Sequence, residues 1–224
     1  MRRRRILISA GPTRERLDPV RYLSNESTGY LGARLAAEAL ARGHRVTVVC
    51  GPVNEPLPRG ARVVPVTDAR QMERAMRREA RGADAVIMAA AVADFRPAHP
   101  SRTKLARRGM LRLRLEATPD IVARLPRRPG QVVAGFALET GRVLPRADRK
   151  LREKRLDLIV AQDAAAGSPF GRRTVRAWLL GRDGSVAGLG RAAKPAIARA
   201  LLDKVEALWY GQASHFRTPH AAKT

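Results

Sequence analysis

The chain has 224 residues, of which 45% are hydrophobic, so it can bury a sizeable core, and global disorder is excluded. Its 44 lysines and arginines outnumber its 20 acidic residues, and the net charge of +24 attracts phosphorylated metabolites and nucleic acids alike. Aromatic residues make up only 4% and no nucleic-acid-binding motif is present, so specific nucleic-acid binding is not expected.

Short apolar runs alternate with amphipathic segments along most of the chain. The first strand is centred on Ile6 and Ile8 and precedes a long polar loop and a helix over residues 28–42. Further strands are predicted at residues 45–50, 62–66, 83–90, 131–138 and 156–161, and further helices at residues 68–81, 144–155 and 193–209. This alternation predicts an α/β fold with a doubly wound, mostly parallel, Rossmann-like sheet.

The middle of the chain departs from this alternation. Residues 92–109 read as a polar loop, and residues 110–116 alternate apolar and charged side chains, which predicts an exposed or antiparallel strand in a small flap or dimerisation extension. A short helix is predicted at residues 119–125 and an edge hairpin around residues 174–184. We interpret residues 1–209 as one domain and residues 210–224, which lack apolar periodicity, as a flexible tail.

The N-terminus and the single cysteine favour a cytoplasmic protein. The basic residues 2–5 precede an apolar stretch that is too short for a signal peptide, and no membrane-spanning segment is expected. Cys50 is the only cysteine, so the sequence excludes an internal disulfide and a zinc site built on several thiolates. Cys50 closes a predicted strand, so we expect it to pack in the core.

Polar clusters lie at the carboxyl ends of four predicted strands, at residues 11–14, 90–96, 135–140 and 162–171. Ligands of open α/β sheets bind outside the carboxyl ends of the strands, so these clusters are expected to meet in one crevice. The first strand lacks the glycine fingerprint of dinucleotide folds, and the second ends in Cys50 and Gly51 rather than an acidic ribose ligand. Both features argue against an ordinary nicotinamide dehydrogenase.

Lysine is rare among the cations of this chain. The six lysines are Lys104, Lys150, Lys154, Lys194, Lys204 and Lys223. Where arginine is the default cation, a lysine can mark a position that needs a compact point charge.

Five segments carry a family resemblance. They are GPTRERLDPVRYLSNESTG (residues 11–29), AAVADFRP (90–97), TPDI (118–121), GFALET (135–140) and RKLREKRLDLIVA (149–161). In this order they closely resemble phosphopantothenoylcysteine synthetase. The resemblance implies a ligase that activates 4′-phosphopantothenate with CTP and Mg²⁺, forms an acyl-cytidylate, and transfers the acyl group to the amine of cysteine. It also implies a homodimer. The flavin-dependent decarboxylase half that usually precedes this domain is not found in the chain, so no flavin is expected.

The resemblance assigns the acyl-transfer side of the site to the loop between the first predicted strand and the helix over residues 28–42. Asn25 matches the asparagine that turns over the acyl-nucleotidylate, where its amide could hold the acyl oxygen; a helix cap is the alternative. Arg21 matches an arginine that reaches the substrate phosphate, and a surface arginine is the alternative. Ser27, Thr28 and Gly29 could offer a helix N-terminus to the same phosphate.

The resemblance assigns the nucleotide to a second group of residues. They are Asp94, Lys104, Thr118, Pro119, Phe136, Lys150 and Lys154. Lys104 would neutralise charge as pyrophosphate leaves. The alternatives are a turn cap for Asp94, core packing for Phe136, and a solvated basic helix face for the last two lysines. No residue is assigned to the metal.

Departures from the family pattern keep some questions open. The lysine motif reads Lys104-Leu105-Ala106-Arg107, Thr118 replaces the usual Asn, and residues 162–174 differ from the family form. The sequence therefore leaves the choice between CTP and ATP undecided. A Rossmann oxidoreductase and a catalytically degenerate nucleotide-binding protein remain alternative functions.

Overall fold

A computed structural model of the chain describes residues 3–107, 109–165, 170 and 173–211. The strands are β1 (Arg5–Ala10), β2 (Arg14–Arg16), β3 (Tyr22–Ser24), β4 (Arg45–Cys50), β5 (Arg62–Pro65), β6 (Ala85–Met88), β7 (Phe95–Pro97), β8 (Leu115–Ala117), β9 (Val132–Glu139), β10 (Leu158–Asp163), β11 (Thr174–Gly181) and β12 (Val186–Ala193). The helices are α1 (Tyr30–Ala41), α2 (Ala69–Ala80), α3 (Val143–Glu153) and α4 (Lys194–Tyr210).

Eight strands form the central sheet in the order β12-β11-β10-β9-β6-β1-β4-β5. The strands β5, β4, β1, β6, β9 and β10 are parallel, and β11 and β12 add an antiparallel edge hairpin. Counted along the chain, the six parallel strands lie in the order 3-2-1-4-5-6, which is the doubly wound arrangement. The predicted fold class is confirmed, and the order reverses between β1 and β6.

Helices cover both faces of the sheet because successive strand residues point to opposite sides. On the α1/α4 face, Ile6 and Ile8 of β1 pack in one buried cluster with residues of α1 and α4. On the α2/α3 face, Leu7 packs in a second cluster with residues of α2 and α3. The continuous apolar runs of the central strands follow from this double coverage.

Two glycines set the position of α1 over the sheet. Gly29 is the N-cap of α1 with φ 81°, and a Cβ there would lie 2.6 Å from Cγ1 of Val53. Gly32 faces β1, where an added Cβ would lie 2.4 Å from the Cβ of Ala10. The absence of side chains therefore lets the start of α1 approach the carboxyl end of β1 closely.

The start of α2 is capped as predicted. The Asp68 carboxylate accepts a hydrogen bond from the Gln71 main-chain N–H at 2.7 Å. The buried Glu15, from the hairpin of β2 and β3, accepts another from the Ala69 N–H at 2.9 Å. This second carboxylate at the positive end of the helix dipole fixes the hairpin against α2.

Of two predicted elements in the middle of the chain, the helix was wrong and the exposed antiparallel strand is confirmed only at its end. Residues 121–124 form turns rather than a helix, with hydrogen bonds from Arg124 N to Ile121 O and from Leu125 N to Val122 O. Proline at position 126 disfavours helical backbone at the preceding residue, so the turn cannot extend. Of residues 110–116, only the end forms a strand, because β8 has just the three-residue β7 as partner.

The strand β7 lies within the segment predicted as a loop at residues 92–109. Together, the β2–β3 hairpin and the β7–β8 ribbon form the small extensions beside the main sheet. At the other end, α4 continues through Tyr210, and residues 212–224 of the predicted tail lie outside the described residues.

Candidate functional site

The carboxyl ends of β1 and β6 meet where the strand order reverses. Pro12 and Ala91 form an isolated parallel bridge, and the Ala91 N–H donates to the Gly11 carbonyl at 2.9 Å. The buried Thr13 hydroxyl accepts from the Ala93 N–H at 3.0 Å. This junction is the topological switch point at which open α/β sheets bind ligands.

Asn25 is held at this switch point. Its Nδ2 donates to the carbonyls of Ala91 and Val92, each at 3.1 Å. Two carbonyls on one side require the NH₂ group to face them, so the orientation of the amide is set by its partners. Asn25 does not cap α1, because the N-cap is Gly29 and it has no side-chain cap.

The amide therefore presents an acceptor rather than a donor to the crevice. Both Nδ2 hydrogens of Asn25 face main-chain carbonyls. Within the described part of the chain, Oδ1 of Asn25 has no hydrogen-bond partner. The expectation that this amide donates to an acyl oxygen is thus at odds with its present bonding.

A buried carboxylate connects the β2–β3 hairpin with the loop that carries Lys104. Asp18 Oδ1 accepts from the N–H groups of Val20 and Arg21, both at 2.8 Å. Its Oδ2 accepts from Arg21 Nε at 2.9 Å and from the Leu105 N–H at 3.1 Å. Arg21 Nη2 in turn donates to the Leu105 carbonyl at 2.5 Å. We call this set of contacts the Asp18 clamp.

Ionisation of Asp18 is strongly favoured by the clamp. Burial acts to raise the pKa of Asp18, but hydrogen bonds from the N–H groups of Val20, Leu105 and Arg21 and from the Arg21 guanidinium outweigh it. The result is a pKa of about 2. Arg21, expected at the substrate phosphate, is engaged here with Asp18 and Leu105.

Lys104 lies at the edge of this clamp. Its side chain is exposed, and no carboxylate among the described residues pairs with it. Its neighbour Leu105 is fixed on both its N–H and its carbonyl. The clamp therefore anchors the main chain of the lysine loop and leaves the ammonium available for an anion.

Asp94, Thr118 and Pro119 lie together beside the switch point. The Thr118 N–H donates to the Asp94 carbonyl at 2.9 Å, and the Thr118 hydroxyl donates to the Ala93 carbonyl at 2.6 Å. The Asp94 carboxylate is exposed and has no hydrogen bond or ion pair with any described residue. It does not cap the next turn and faces solvent.

Lys150 and Lys154 lie on the α2/α3 face and are paired with acids. Lys150 Nζ lies 2.6 Å from Oε1 of Glu139, and Lys154 Nζ lies 3.3 Å from Oδ2 of Asp120. Phe136 belongs instead to the α1/α4 face. The structure therefore places Phe136 and the two lysines at the same edge of the sheet but on opposite faces.

A cavity of about 130 Å³, the α1 cavity, lies on the α1/α4 face beside the switch point. Five of its lining residues matter for the chemistry: Ser27, Gly29, Phe136, Gln162 and Lys194. The last two were not among the predicted site residues. Lysine rarity marks Lys194, and Gln162 lies in a segment that departs from the family form, but neither signal indicates that the two side chains line one cavity.

A larger cavity of about 470 Å³ opens on the other side of residues 27 and 28. Asn25, Arg14 and Tyr22 line it, and the Arg14 guanidinium lies 4.6 Å from the centre of the Tyr22 ring. Three of the four polar clusters, at residues 11–14, 90–96 and 135–140, thus reach one edge of the sheet. The fourth, at 162–171, is described only in part and reaches this edge through Gln162.

The remaining reactive groups were also located. Cys50 is buried, and burial raises the pKa of its thiol to about 11, which confirms the core-packing prediction. Within the described ranges, no group of three or more His, Cys, Asp or Glu side chains is arranged to hold a metal ion. The described helices include none with the length and apolarity of a membrane span.

Comparison with known proteins identifies the family. Residues 1–208 match the family model described as the DNA/pantothenate metabolism flavoprotein C-terminal domain. The chain belongs to this family. It is 40% identical over 211 residues to the coenzyme A biosynthesis bifunctional protein CoaBC of Vibrio parahaemolyticus, covering 91% of this chain and 52% of that protein. The chain spans about half the length of the curated relatives it matches.

Solved structures agree with the family assignment. The crystal structure of the C-terminal domain of CoaBC is 34% identical with a TM-score of 0.78, covering 93% of this chain and 96% of that one. A Cab2 mutant in complex with phosphopantothenate-cysteine is 16% identical with a TM-score of 0.72, covering 95% and 89%. At that identity the second likeness shows the fold alone.

Proposed function

We propose that the chain is a cytoplasmic phosphopantothenate–cysteine ligase of coenzyme A biosynthesis that uses CTP. Two kinds of support meet here. The family is that of the CoaBC C-terminal domain, and Asn25 is fixed by the Ala91 and Val92 carbonyls at the point where this fold binds ligands. The placement of Asn25 is the observation that carries the proposal.

In the first step, a carboxylate oxygen of 4′-phosphopantothenate attacks the α-phosphorus of CTP. A new O–P bond forms, and the bond to pyrophosphate breaks. The Lys104 ammonium, exposed beside the Asp18 clamp, neutralises the charge that develops on the leaving group. This step needs positioned cations rather than a nucleophilic side chain.

In the second step, the amine of cysteine attacks the acyl carbon, the C–N bond forms, and CMP leaves. The free Oδ1 of Asn25 can accept an N–H of the incoming amine and orient its lone pair. The amine must lose a proton as the amide forms, and an acceptor beside it favours that charge development. The amide acts as an acceptor in this scheme, in place of the expected donor role.

The nucleotide is assigned to the edge beside the switch point. Thr118 and Pro119 adjoin Asp94, and Lys150 and Lys154 extend that side along α3. Mg²⁺ is held mainly by phosphate oxygens and few protein ligands. The exposed and unpaired carboxylate of Asp94 fits such a ligand, and the metal would supply charge neutralisation on the triphosphate.

A homodimer is also part of the proposal. The segment around β8 exposes a row of large apolar side chains: Phe95, Met110, Leu111, Leu113 and Leu115. Exposed apolar patches of this kind mark interaction surfaces. A second copy covering this ribbon could also present its Arg21 to a substrate phosphate. A flavin has no assigned role in the reaction.

A pyrophosphate-release assay tests the proposal. Wild-type protein is given 4′-phosphopantothenate, cysteine and Mg²⁺ with CTP, ATP, GTP or UTP in turn. CTP is expected to give the highest rate, and Lys104→Ala to lower the CTP rate at least 100-fold. Arg102→Ala removes another exposed cation of the same loop and is expected to stay within threefold of wild type.

The assay has clear contrary outcomes. No release with any nucleotide would make the chain a degenerate binding protein, in line with its departures at Arg107, Thr118 and Gln162. Faster release with ATP would correct the nucleotide and leave the ligase assignment intact. Equal losses of pyrophosphate-release rate in Lys104→Ala and Arg102→Ala would mean that Lys104 contributes only to the overall positive charge of the loop and has no specific role.

A further inference from the structure

The α1 cavity contains polar groups that the proposed reaction does not yet use. Lys194 is the first residue of α4 and only 5% exposed, and Gln162 lies near the end of β10 and is 7% exposed. Both line the cavity together with Ser27 and Gly29 at the start of α1. Two elements far apart in sequence thus deliver buried donors to one small space.

Gln162 points to a missing partner. Its Nε2 is buried and has no hydrogen-bond partner in the described part of the chain. Buried polar side-chain atoms in native proteins are nearly always hydrogen-bonded, so a buried free donor beside a cavity indicates a ligand that accepts hydrogen bonds. The strand alternation confirms the direction, because Val160 of the same strand packs on the α1/α4 face.

Lys194 gives the cavity its charge. Burial lowers the pKa of its ammonium group. The ammonium lies 5.8 Å from the centre of the Tyr30 ring, whose residue begins α1 and also lines the cavity. No Asp or Glu occurs among the described lining residues. An anion in this space would interact with the ammonium at low dielectric, where the attraction is strong.

The start of α1 completes the set of donors. Its N-cap is Gly29, with no side-chain cap and no acidic residue in the first turn. The first N–H groups of a helix lack intrahelical acceptors and carry partial positive charge. The Ser27 and Thr28 hydroxyls lie in the same wall, where they accept from the N–H groups of Gly29 and Tyr30 and can donate their own hydrogens to a ligand.

We propose that the α1 cavity is a phosphate-binding site in which Lys194 and Gln162 donate to phosphate oxygens opposite the N-terminus of α1. The assignment rests on the proposed function in that it names the residues for a phosphate of one of its substrates. That phosphate comes from the nucleotide or from 4′-phosphopantothenate. Phe136 lines the same cavity and supplies an apolar wall for the part of the substrate that carries this phosphate.

Direct binding measurements test the site without turnover. Calorimetry would compare CTP, 4′-phosphopantothenate and inorganic pyrophosphate on wild type, Lys194→Met and Gln162→Met. We expect Lys194→Met to raise the Kd of one of the two substrates at least tenfold and of the other less than threefold. That contrast identifies the source of the phosphate. Gln162→Met is expected to raise the same Kd about three- to tenfold.

A matched control lies on the same helix. Lys204 is 8% exposed, lies further along α4 than Lys194 and 3.7 Å from Asp183, and does not line the α1 cavity. Lys204→Met should leave both Kd values within twofold. If Lys194→Met fails to fold, Lys194→Arg retains the cation, and Gln162→Met alone still decides through its own Kd.

The outcomes separate this inference from the proposed function. Loss of binding in Lys194→Met, in a protein that never releases pyrophosphate from CTP, supports the site and overturns the ligase assignment. Unchanged Kd values for all three ligands in Lys194→Met and Gln162→Met overturn the site, whatever the turnover. Equal losses in Lys194→Met and Lys204→Met also overturn it, because they indicate a general charge effect.

Discussion

At the scale of single residues, the hydrogen bonds of Asn25 and the backbone conformation of Gly29 limit what each residue can do. Asn25 uses both amide hydrogens on the Ala91 and Val92 carbonyls, so its free oxygen determines its chemistry. Gly29 has φ 81° and no room for a Cβ, so it determines where α1 begins. Both residues lie in a loop that follows β3 and carries no periodic pattern.

Gly29→Ala tests the second of these constraints. A residue with a Cβ is strained in the left-handed region by about 1–3 kcal/mol, and here the new Cβ also meets Val53. Gly43 has the same φ of 81° with nothing within 4 Å, so Gly43→Ala measures the backbone strain alone. Urea denaturation should show a larger loss in unfolding free energy for Gly29→Ala. Equal losses would mean that Val53 moves aside freely.

At the scale of elements, the Asp18 clamp joins two segments that sequence patterns treat as separate loops. Its contacts run from the β2–β3 hairpin to Leu105, 87 residues after Asp18. The clamp makes Asp18 a positioning residue for the Lys104 loop. In Asp18→Asn, the new NH₂ group would face the Arg21 Nε and Leu105 N–H donors that now bond Oδ2, so the Lys104 loop should be released. The bonds from the Val20 and Arg21 N–H groups to Oδ1 should persist.

Asp18→Asn is expected to lower kcat for pyrophosphate release at least tenfold with a smaller change in the KM for CTP. A merely structural defect would instead lower the active fraction and leave the kcat of folded protein unchanged. Asp183→Asn removes another carboxylate of lowered pKa, on the β11–β12 turn, and should leave kcat unaltered. Matching kcat losses in the two variants would contradict a positioning role.

The clamp also predicts a pH dependence of stability. The folded pKa of Asp18 is about 2, below the ordinary value of 3.8. Its stabilisation is therefore complete above about pH 5 and is lost as the pH falls from about 4 to 2. The difference in unfolding free energy between wild type and Asp18→Asn should be constant at neutral pH and shrink in that acid window.

The elements that could be predicted are those with long, regular apolar patterns. The strand at residues 45–50 was predicted with its observed bounds, and the cap at Asp68 was confirmed. The predicted helix at 119–125 was wrong because one proline limited it to a turn, and the strand at 110–116 was shortened by its three-residue partner. Both errors arose because the apolar pattern of a segment contains no information about the proline that follows it or the strand that pairs with it.

Strand alternation predicted only part of the candidate site. Asp94 lies in the polar cluster at residues 90–96, at the end of a predicted strand, whereas Asn25 was assigned through the family resemblance. Both residues lie beside the switch point. The separation of Phe136 from Lys150 across the sheet, and the presence of Gln162 and Lys194 in one cavity, follow from packing between distant elements. Sequence alone does not resolve such face assignments.

At the scale of the whole molecule, the carboxyl ends and the amino ends of the parallel strands differ in how their polar side chains are used. At the carboxyl edge, free or exposed polar groups surround cavities. Near the amino end of β4, His44 Nε2 lies 2.8 Å from Oε1 of the buried Glu206, and Arg42 pairs with Oε2 at 2.8 Å, which ties α1 to α4. These contacts hold the end of α1 against α4 at the edge opposite the candidate site.

The central claim is that the switch-point amide of Asn25 acts on the second step of the reaction. Single-turnover measurement of pyrophosphate release and of phosphopantothenoylcysteine formation in Asn25→Ala tests it most directly. We predict pyrophosphate release within threefold of wild type, accumulation of the acyl-cytidylate, and product formation slowed at least 100-fold. Equal slowing of both steps, or a wild-type rate of product formation, would contradict the claim.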